Sequence, residues 1–538
     1  MEPHCIPFSE IPHTTPLFAD YLYHFSRLER FFALDPFRPE SFQAAARALS
    51  LEEARRTAVA DVLAEQNEIF AGDQRTQENI RRLREGRVAA VVTGQQVGLF
   101  GGPAYSVYKA LTAIGLAERL TADGLPAVPI YWLASEDHDF AEVNHSEFLD
   151  TQQHVVGLAD SSAPPADTPI GRIMFSPGID ALRRDVERLW PAGRAAEAES
   201  LLSGYAPGAS YAHAFGQLMQ RLFAGRGLIV LDPLHPTLHA VGRGLFRQAL
   251  EGAEGLDALG RSQDGILEKA GYHVQVRLRK DATLLFLTVN GRRLPLRRRG
   301  SGFFLPGEGE RSLADLLDLL EREPERFSPN VLLRPLVQDS LLPTVAYVAG
   351  PNEIAYFAQA SALYDKLLGR MPVIVPRVSL TLVEPKIQRL LQRYKLGLKD
   401  FFHGQEPVRT RLAERHLPPR LLRRLDRAQA QMEKQLSEAA GELKRLDPTL
   451  EGAADTSRRK MLYQLEKLRR KAAHAQAERT EIIGRHLHAL SNSLCPNREL
   501  QERRLNFLSF VARHGQELVG RLFEQVNFPC RDHQVIFL

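Results

Sequence analysis

The sequence predicts an α/β protein built on a doubly wound parallel sheet, followed by a long helical section. Short apolar runs rich in β-branched residues are each closed by turn residues, and helical patterns lie between them. Beyond about residue 384 this pattern ends, and apolar residues recur at alternating spacings of three and four. The strands of the sheet are predicted at 88–92, 128–134, 228–231, 344–349 and 373–375.

Size and charge define the broad class of the protein. The 538 residues are 44% hydrophobic, which is enough for a large core and more than one domain. The net charge of +4 indicates a mixed surface and argues against a nucleic-acid-binding tail. Cys5, Cys495 and Cys530 have neither metal-ligand spacing nor a disulfide framework, which favours a reducing compartment. The sequence shows no signal peptide and no apolar run of roughly 20 residues, so we expect a cytoplasmic protein with no membrane association.

The predicted core occupies residues 1–383, begins with helices over 1–87, and contains two insertions, at about 150–225 and about 235–335. Within the second insertion, Asn290-Gly291 between alternating apolar residues predicts a two-residue β-hairpin. Arginines beside this turn could bind phosphate, although the solvated side of the hairpin is the simpler interpretation.

Residues 384–495 form the predicted helical domain. Two heptad patterns are separated by Asp447-Pro448, which should end the first helix, so an antiparallel coiled-coil hairpin is expected. The apolar seam is narrow and includes alanines, so a second copy of the chain could complete it; packing on its own domain is the alternative. Residues 496–538 return to the core and end in a strand-like apolar run.

The first candidate site follows the strand at 88–92, where a glycine-rich turn leads into a helix with Pro103 at its first position. Strand, glycine turn and helix can aim backbone N–H groups at an anion. The glycine spacing matches neither the P-loop nor the dinucleotide fingerprint, so a phosphate or carboxylate site and an ordinary β–α turn both remain open. The candidate ligands are Gly94, Gln95, Gln96, Gly98, Gly101, Gly102 and Lys109.

The second candidate site follows the strand at 128–134, where polar residues are concentrated as at the ligand-binding edge of an open parallel sheet. Carboxylates and an imidazole together can bind a divalent metal, orient an amine or transfer protons. Helix capping and solvent exposure are the structural alternative. We expect His138 to act as acid or base, with the neighbouring carboxylates holding an ammonium group. The candidate residues are Glu136, Asp137, His138, Asp139 and Asn144.

Two further segments end predicted strands. After Gly350-Pro351, Asn352 and Glu353 fall in the first turn of a helix, where a glutamate also interacts favourably with the helix dipole. Tyr356 and Gln359, one turn on, could form a pocket wall or simply pack. Arg377 and Ser379 follow the last strand, and Arg377 could clamp a carboxylate or lie on the surface.

Together these segments resemble the BshC family, the cysteine-adding enzymes of bacillithiol synthesis. The resemblance spans essentially the full chain, including Asn506 and His533 near its end, and its first two blocks are specific. The matching blocks are 93–103 with Lys109, 132–139 with Glu142 and Asn144, 350–357 with Gln359, and 376–379.

The resemblance implies a Rossmann-like core, similar to that of class I aminoacyl-tRNA synthetases, and a coiled coil that forms a homodimer. The implied reaction is the last step of bacillithiol synthesis, in which a ligase joins the carboxyl group of cysteine to the amine of glucosaminyl-malate as an amide. It also implies a nucleotide, ATP or ADP, for which Asn506 and His533 are the candidate ligands; no metal is assigned.

The synthetase motifs that stabilise adenylation are missing. Gly98-Leu99-Phe100-Gly101 stands where His-x-Gly-His would be expected, and no Lys-Met-Ser-Lys-Ser is present. A non-catalytic nucleotide-binding scaffold with a coiled-coil interaction domain is therefore the alternative function. Binding of tRNA is not expected, because the near-neutral charge provides no extended basic face.

Overall fold

The computed structural model describes residues 4–300, 302–415, 419–478 and 481–538. The chain divides into two compact units. The first consists of Met1–Asp150, Val155–Thr381 and Glu502–Ile536, and the second of Thr151–His154, Leu382–Gln501 and Phe537–Leu538.

The strands and helices are numbered in chain order. The strands are β1 (His4–Ile6), β2 (Ala89–Gln95), β3 (Ala127–Leu133), β4 (His145–Leu149), β5 (Val155–Ala159), β6 (Ile229–Leu231), β7 (Ala282–Val289), β8 (Arg292–Arg299), β9 (Gly302–Leu305), β10 (Gly309–Arg311), β11 (Phe327–Pro329), β12 (Thr344–Ala349), β13 (Val373–Pro376), β14 (Ser379–Val383) and β15 (His533–Phe537). The helices are α1 (Pro16–Tyr23), α2 (Pro39–Arg47), α3 (Glu53–Ile69), α4 (Gln74–Arg84), α5 (Tyr105–Ala122), α6 (Phe140–Val143), α7 (Ile179–Glu187), α8 (Ala195–Leu202), α9 (Tyr211–Leu222), α10 (Pro236–Glu251), α11 (Ala253–Lys269), α12 (Leu313–Arg322), α13 (Arg334–Leu341), α14 (Pro351–Leu367), α15 (Pro385–Tyr394), α16 (Gln405–Arg415), α17 (Pro419–Leu446), α18 (Glu451–Glu478), α19 (Glu481–Leu494), α20 (Gln501–Arg504), α21 (Leu508–His514) and α22 (Glu517–Gln525).

The core of the first unit is a parallel sheet with strand order β13-β12-β2-β3-β6, which confirms the predicted doubly wound sheet and its five strands. From β2 the chain proceeds to β3 and β6 on one side, and then to β12 and β13 on the other. The direction of winding therefore reverses between β2 and β12. Open α/β sheets bind ligands at such a switch point, beyond the carboxyl ends of the strands.

The residues of the central strands explain why they lie inside. β3 and β12 are buried along their whole length, as expected for strands covered on both faces. Val91 and Val348 pack in one cluster with Leu116 of α5. Full burial of one such side chain stabilises the fold by about 1.5–3 kcal/mol, so this helix–sheet contact is a major source of stability.

The glycine turn differs from its prediction. β2 runs through Gly94 to Gln95, and α5 begins at Tyr105, so Pro103 precedes the helix. Phe100 and Gly102 have φ angles of 52° and 66°, and the Asn506 amide donates hydrogen bonds of 2.9 Å to the carbonyl oxygen of each. The turn is thus held inside the fold, as in an ordinary β–α turn.

The second insertion contains the antiparallel sheet β10-β9-β8-β7-β11. Val289 pairs with Arg292 across a two-residue turn, and Asn290 and Gly291 have φ angles of 50° and 79°. Positive φ at both positions is typical of a type I′ turn, so the predicted hairpin is confirmed.

The chain ends meet in a strand pair that the prediction of helices over 1–87 missed. β1 pairs antiparallel with β15, and the sulfur atoms of Cys5 and Cys530 lie 3.3 Å apart. Sequence separation concealed this proximity. The apolar run at the C-terminus is a strand, as predicted.

The second unit contains the predicted helical hairpin. α17 ends at Leu446, and Asp447-Pro448 begins the break before α18. Ion pairs join Lys444 to Glu451 near the turn and Asp426 to Arg469 further along, which shows that the helices are antiparallel. None of the described helices has the length and apolar character needed to cross a membrane.

Candidate functional site

A cavity of about 610 Å³ lies beyond the carboxyl ends of β2, β3 and β12, at the switch point of the sheet. The second insertion supplies further parts of its wall. Eleven of the residues singled out in the sequence are among its lining: Gly94, Gln95, Gln96, Lys109, Glu136, Asp137, His138, Asn352, Glu353, Tyr356 and Arg377.

A buried ion pair between Lys109 of α5 and Glu353 of α14 forms one wall. The Lys109 ammonium group also donates to the Gly94 carbonyl oxygen at 2.6 Å and to the Gln95 side-chain oxygen at 2.9 Å. Burial lowers the pKa of Lys109, whereas the pairing with Glu353 opposes that effect. Burial alone would raise the pKa of Glu353, but Lys109 and the Gly350 N–H group hold it below its usual value. The ammonium group and the carboxylate thus face each other as a buried ion pair.

Two tyrosines and an arginine extend this network. The Tyr347 and Tyr356 hydroxyls donate to Glu353 Oε1 at 2.7 and 3.2 Å, and Arg334 donates to the Tyr356 oxygen at 2.9 Å. Burial would lower the pKa of Arg334, but the tyrosines and Glu353 raise it above the ordinary value. Arg334 is thus a fixed cation in the wall of the cavity, and nothing in the sequence distinguished it from other arginines.

The carboxylate of Asp137 is largely engaged by its own neighbours. The Gln96 amide donates to Asp137 Oδ2 and to Glu142 Oε2, at 2.7 Å in each case. Asp137 Oδ1 accepts the His138 backbone N–H at 2.7 Å. Asp139 is exposed beyond this turn, so the structure does not bring it to the cavity wall with Asp137 and His138.

His138 faces an arginine from the hairpin. The Arg293 guanidinium group lies 3.1 Å from His138 Nδ1, donates to the Ser328 hydroxyl and the Pro329 carbonyl oxygen, and stacks 3.8 Å from the Phe286 ring centre. A guanidinium group can only donate, so His138 Nδ1 accepts and the neutral ring carries its proton on Nε2.

The solvated interpretation of the hairpin arginines is therefore wrong for Arg293, which is 7% exposed. It holds for its neighbour Arg292, which is exposed and pairs with Asp167. Successive side chains of β8 point to opposite faces of the sheet, so Arg292 and Arg293 have different surroundings. The register of the predicted hairpin is enough to place the two arginines on different faces.

Glu136 is a cavity carboxyl group with a raised pKa. Burial, with a smaller contribution from the Asp232 carboxylate, raises the pKa of Glu136 to about 7, although Arg293 acts in the opposite direction. Asp232 in turn accepts a hydrogen bond from Ser135, the residue before Glu136. Titratable groups with such shifts are concentrated at functional sites.

Arg377 is buried between the cavity and an internal carboxylate. It donates to Glu502 Oε1 at 2.7 Å, and Ser379 donates to the same oxygen at 2.8 Å. The surface alternative for Arg377 is therefore wrong, since its side chain is 6% exposed. The carboxylate that it clamps belongs to the protein.

Other predicted residues lie within the fold, away from the lining. Gln359 hydrogen-bonds to Asp264 and to the backbone of Val276, and Asn144 donates to the Asp160 carbonyl oxygen. Gly98, Gly101 and Gly102 belong to the turn held by Asn506. The residues of this kind are Gly98, Gly101, Gly102, Asn144, Gln359, Ser379, Asn506 and His533.

Asn506 and His533 do not fit the nucleotide for which they were candidates. The Asn506 amide donates to three oxygen atoms of the fold, and its own oxygen accepts the Leu508 N–H group. Both ring nitrogens of His533 lie within 2.8 Å of the hydroxyls of Ser379 and Thr381. A nucleotide could reach either side chain only by breaking these buried hydrogen bonds.

The lining residues that the sequence did not single out include the cationic and aromatic side chains Tyr105, Phe286, Arg334 and Arg503. Arg293, one of the hairpin arginines, also lines the cavity. Two of the cations in the lining are paired with carboxylates, Lys109 with Glu353 and Arg377 with Glu502. The described lining residues outside these two pairs include three guanidinium groups and two carboxyl groups: Arg293, Arg334, Arg503, Glu136 and Asp137. This part of the site suits a ligand with an excess of negative charge. The described residues contain no cluster of three or more His, Cys, Asp or Glu side chains arranged to hold a metal ion.

Comparison with known proteins shows the family of this chain. Residues 1–378 match the model of the N-terminal Rossmann-like domain of BshC of bacillithiol biosynthesis, and residues 380–538 match that of the BshC C-terminal coiled-coil domain. The chain belongs to the BshC family.

Relatives in the family are similar over their whole length. A protein of Koribacter versatilis is 40% identical over 538 residues, with 100% of both chains covered, and one of Solibacter usitatus is 39% identical over 533 residues, with 99% of both covered. A protein of Salinibacter ruber is 35% identical, covering 98% of this chain and 99% of its own. Each carries the name "Putative cysteine ligase BshC".

The Lys109–Glu353 pair gives the first testable prediction. We expect K109M and E353Q each to lower the free energy of unfolding by about 3–5 kcal/mol, because each leaves a buried charge or dipole without its partner. The double variant should lose less than the sum of the two, as measured by urea unfolding. The exposed pair Lys444–Glu451 is the control, and K444M should cost less than about 1 kcal/mol. Additive losses from K109M and E353Q would contradict the coupling.

The raised pKa of Glu136 gives a pH-dependent prediction. Between the ordinary value of 4.5 and about 7, folded protein binds more protons at this site than the unfolded chain, so stability falls as the pH rises through that window. E136Q removes the effect. Relative to wild type, E136Q should gain about 3 kcal/mol in unfolding free energy between about pH 4.5 and about pH 8.

Urea titrations at the two pH values measure this difference. E254Q, at an exposed position of α11, is the control and should follow the wild-type pH profile. A stability difference between E136Q and wild type that does not change with pH would contradict the buried environment assigned to Glu136.

Proposed function

We propose that this chain is a ligase that joins the carboxyl group of cysteine to the amine of glucosaminyl-malate, forming an amide in the cavity at the switch point. The observation that carries the proposal is that one cavity contains more guanidinium groups than carboxylates and also contains the buried carboxyl group of Glu136. Glucosaminyl-malate carries two carboxylates and one amine, so its charges complement both features. Membership of the BshC family and the names of the relatives support the same activity.

Arg293, Arg334 and Arg503 are the residues that we assign to the malate carboxylates. Arg293 and Arg334 are held by hydrogen bonds to uncharged groups, so their positive charge remains available to a ligand. A planar guanidinium group binds a carboxylate through two parallel hydrogen bonds, which also fixes the orientation of the substrate.

The amine is assigned to Glu136 and Asp137, which follow β3 and line the same cavity. His138 lies between Arg293 and Asp137. Because Arg293 donates toward its Nδ1, the Nε2–H group of the neutral ring can donate to a carbonyl or carboxylate oxygen of the substrate. We assign this role to His138. Asp139, exposed beyond the turn, keeps no role in the chemistry.

Formation of an amide from a free carboxylate requires activation. ATP or ADP is the nucleotide that the family resemblance implies, but the side chains named for it are engaged within the fold. The assigned side chains bind the substrate and hold its protons, and none of them is assigned to a nucleotide.

We also propose that the partner of this chain is a second copy, joined through the helical hairpin of the second unit. Large apolar side chains along that hairpin are exposed in the single chain, as expected for a seam that another helix pair covers. They are Leu421, Leu443, Leu446, Met461, Tyr463 and Leu468.

Two adjacent arginines of β8 provide a matched test of the proposed function. In a bacillithiol-dependent bacterial strain whose own family member is deleted, R293M should lower the initial rate of bacillithiol accumulation by at least about tenfold. R292M should leave it near the wild-type rate, because Arg292 is exposed and away from the cavity. Bacillithiol is measured after fluorescent labelling of thiols.

R293K retains the charge without the planar fork and should be intermediate, which separates loss of binding from loss of folding. H138A should also reduce accumulation. Undiminished bacillithiol with both R293M and H138A would contradict the assignment of the cavity. A wild-type chain that restores no bacillithiol would contradict the ligase and favour the nucleotide-binding scaffold.

A further inference from the structure

Glu136 has surroundings unlike those of the other cavity carboxylates. The residue is 7% exposed and borders the cavity, whereas Asp137 and Glu353 accept several hydrogen bonds from neighbouring groups. His239 of α10 does not line the cavity, and its Nε2 lies 3.9 Å from Glu136 Oε1. A histidine thus stands on the side of Glu136 away from the ligand.

His239 is a buried histidine with one unused nitrogen. Its Nδ1 lies 2.9 Å from the Phe327 carbonyl oxygen, which can only accept, so Nδ1 carries the proton. Nε2 is buried and has no hydrogen-bond partner within the described part of the chain. The imidazole is buried, with 4% of the side chain exposed, and Nε2 is the ring nitrogen that lies near the glutamate. Buried polar atoms without a partner are uncommon and call for an explanation.

We propose that Glu136 is the base that deprotonates the amine of the substrate, and that His239 is a positioning residue that accepts a hydrogen bond from the protonated Glu136 carboxyl. The proposal rests on the proposed function, since it needs an amine substrate in the cavity. It replaces the ammonium-holding role first expected of Glu136 and gives His239 a role that no sequence motif indicated.

The step is a proton transfer. The ammonium group R–NH₃⁺ gives one proton to the Glu136 carboxylate, which leaves R–NH₂ with a free electron pair and Glu136 as the neutral acid. The new O–H group then donates to His239 Nε2. The amine nitrogen becomes nucleophilic only after this loss, because an ammonium ion has no free pair.

The charged groups around the two side chains are consistent with these protonation states. Arg293, Arg334, Arg172 and Asp232 act on Glu136 from four separate segments of the chain, and burial outweighs their combined effect, so that the pKa of Glu136 is about 7. A base with a pKa near the working pH transfers protons most effectively.

His239 is held in the neutral form by its surroundings. Burial lowers its pKa to about 4, with Arg172 acting in the same direction and the Phe327 and Pro233 carbonyls and Glu325 opposing. The neutral imidazole therefore keeps the lone pair that the proposal requires.

Infrared difference titration of the purified full-length protein, between about pH 5.5 and about pH 8.5, tests the pair without any substrate. Wild type should lose a protonated-carboxyl band with a midpoint near pH 7. E136Q should lack that band, and E254Q should retain it. H239F should move the midpoint to lower pH by at least about half a unit, because the protonated acid loses its acceptor.

The same variants are then compared in the bacillithiol-dependent strain. E136Q should lower the initial rate of bacillithiol accumulation by at least about 100-fold, E136D should recover part of it, and H239F should lower it by about tenfold. E254Q should match wild type.

The outcomes separate this proposal from the function on which it rests. A normal rate with E136Q, while R293M is impaired, would overturn the base and leave the ligase standing. If the wild-type chain restores no bacillithiol, both the ligase function and the role of Glu136 as its base are overturned. An unchanged infrared midpoint in H239F would overturn the role of His239. If wild type shows no protonated-carboxyl band that titrates near neutral pH, the assignment of Glu136 as the base is overturned, even if E136Q fails to fold.

Discussion

The buried ion pair between Lys109 and Glu353 is the interaction on which the cavity depends. It joins the helix after β2 to the helix after β12, the two strands that flank the switch point. Through Gly94 and Gly350 it also fixes the backbone at both strand ends. Because charges are costly to bury, such a pair persists only where its geometry is good and its remaining hydrogen bonds are made. Here the two tyrosine hydroxyls and the Gln95 amide oxygen complete those bonds.

The second insertion adds further side chains to the cavity at the switch point. Arg293 reaches the carboxyl end of β3 from the hairpin and stacks on Phe286, so a cation and an apolar surface arrive together. On the other side of Glu136, Asp232 and His239 come from the segment after β6 and from α10. The result is a cavity in which guanidinium groups and a carboxyl group with a raised pKa lie together, so that it can hold anionic groups and take a proton.

Much of the frame could be predicted from the sequence because parallel strands buried on both faces have a strong local pattern. The strands at 128–134 and 344–349, the Asn290-Gly291 hairpin and the helix break at Asp447 all follow from residues a few positions apart. Arg334 and His239 could not be found in this way, since Arg334 acts through tyrosines on the next strand and helix, and His239 acts through Glu136, on a distant part of the chain. The residues near the glycine turn do not show whether it binds an anion, because the group that contacts the turn is far away in the chain. The amide of Asn506, some 400 residues on, donates hydrogen bonds to two carbonyl oxygens of the turn.

The central claim is that the switch-point cavity binds an amine substrate that also carries carboxylates. A crystal structure of the full-length protein soaked with glucosaminyl-malate tests this most directly. The account predicts at least one malate carboxylate within about 3.2 Å of Arg293 or Arg334, and the amine nitrogen within about 3.2 Å of the Glu136 carboxylate. Glucosaminyl-malate bound elsewhere on the chain, or bound in the cavity with its amine turned away from Glu136, would contradict it.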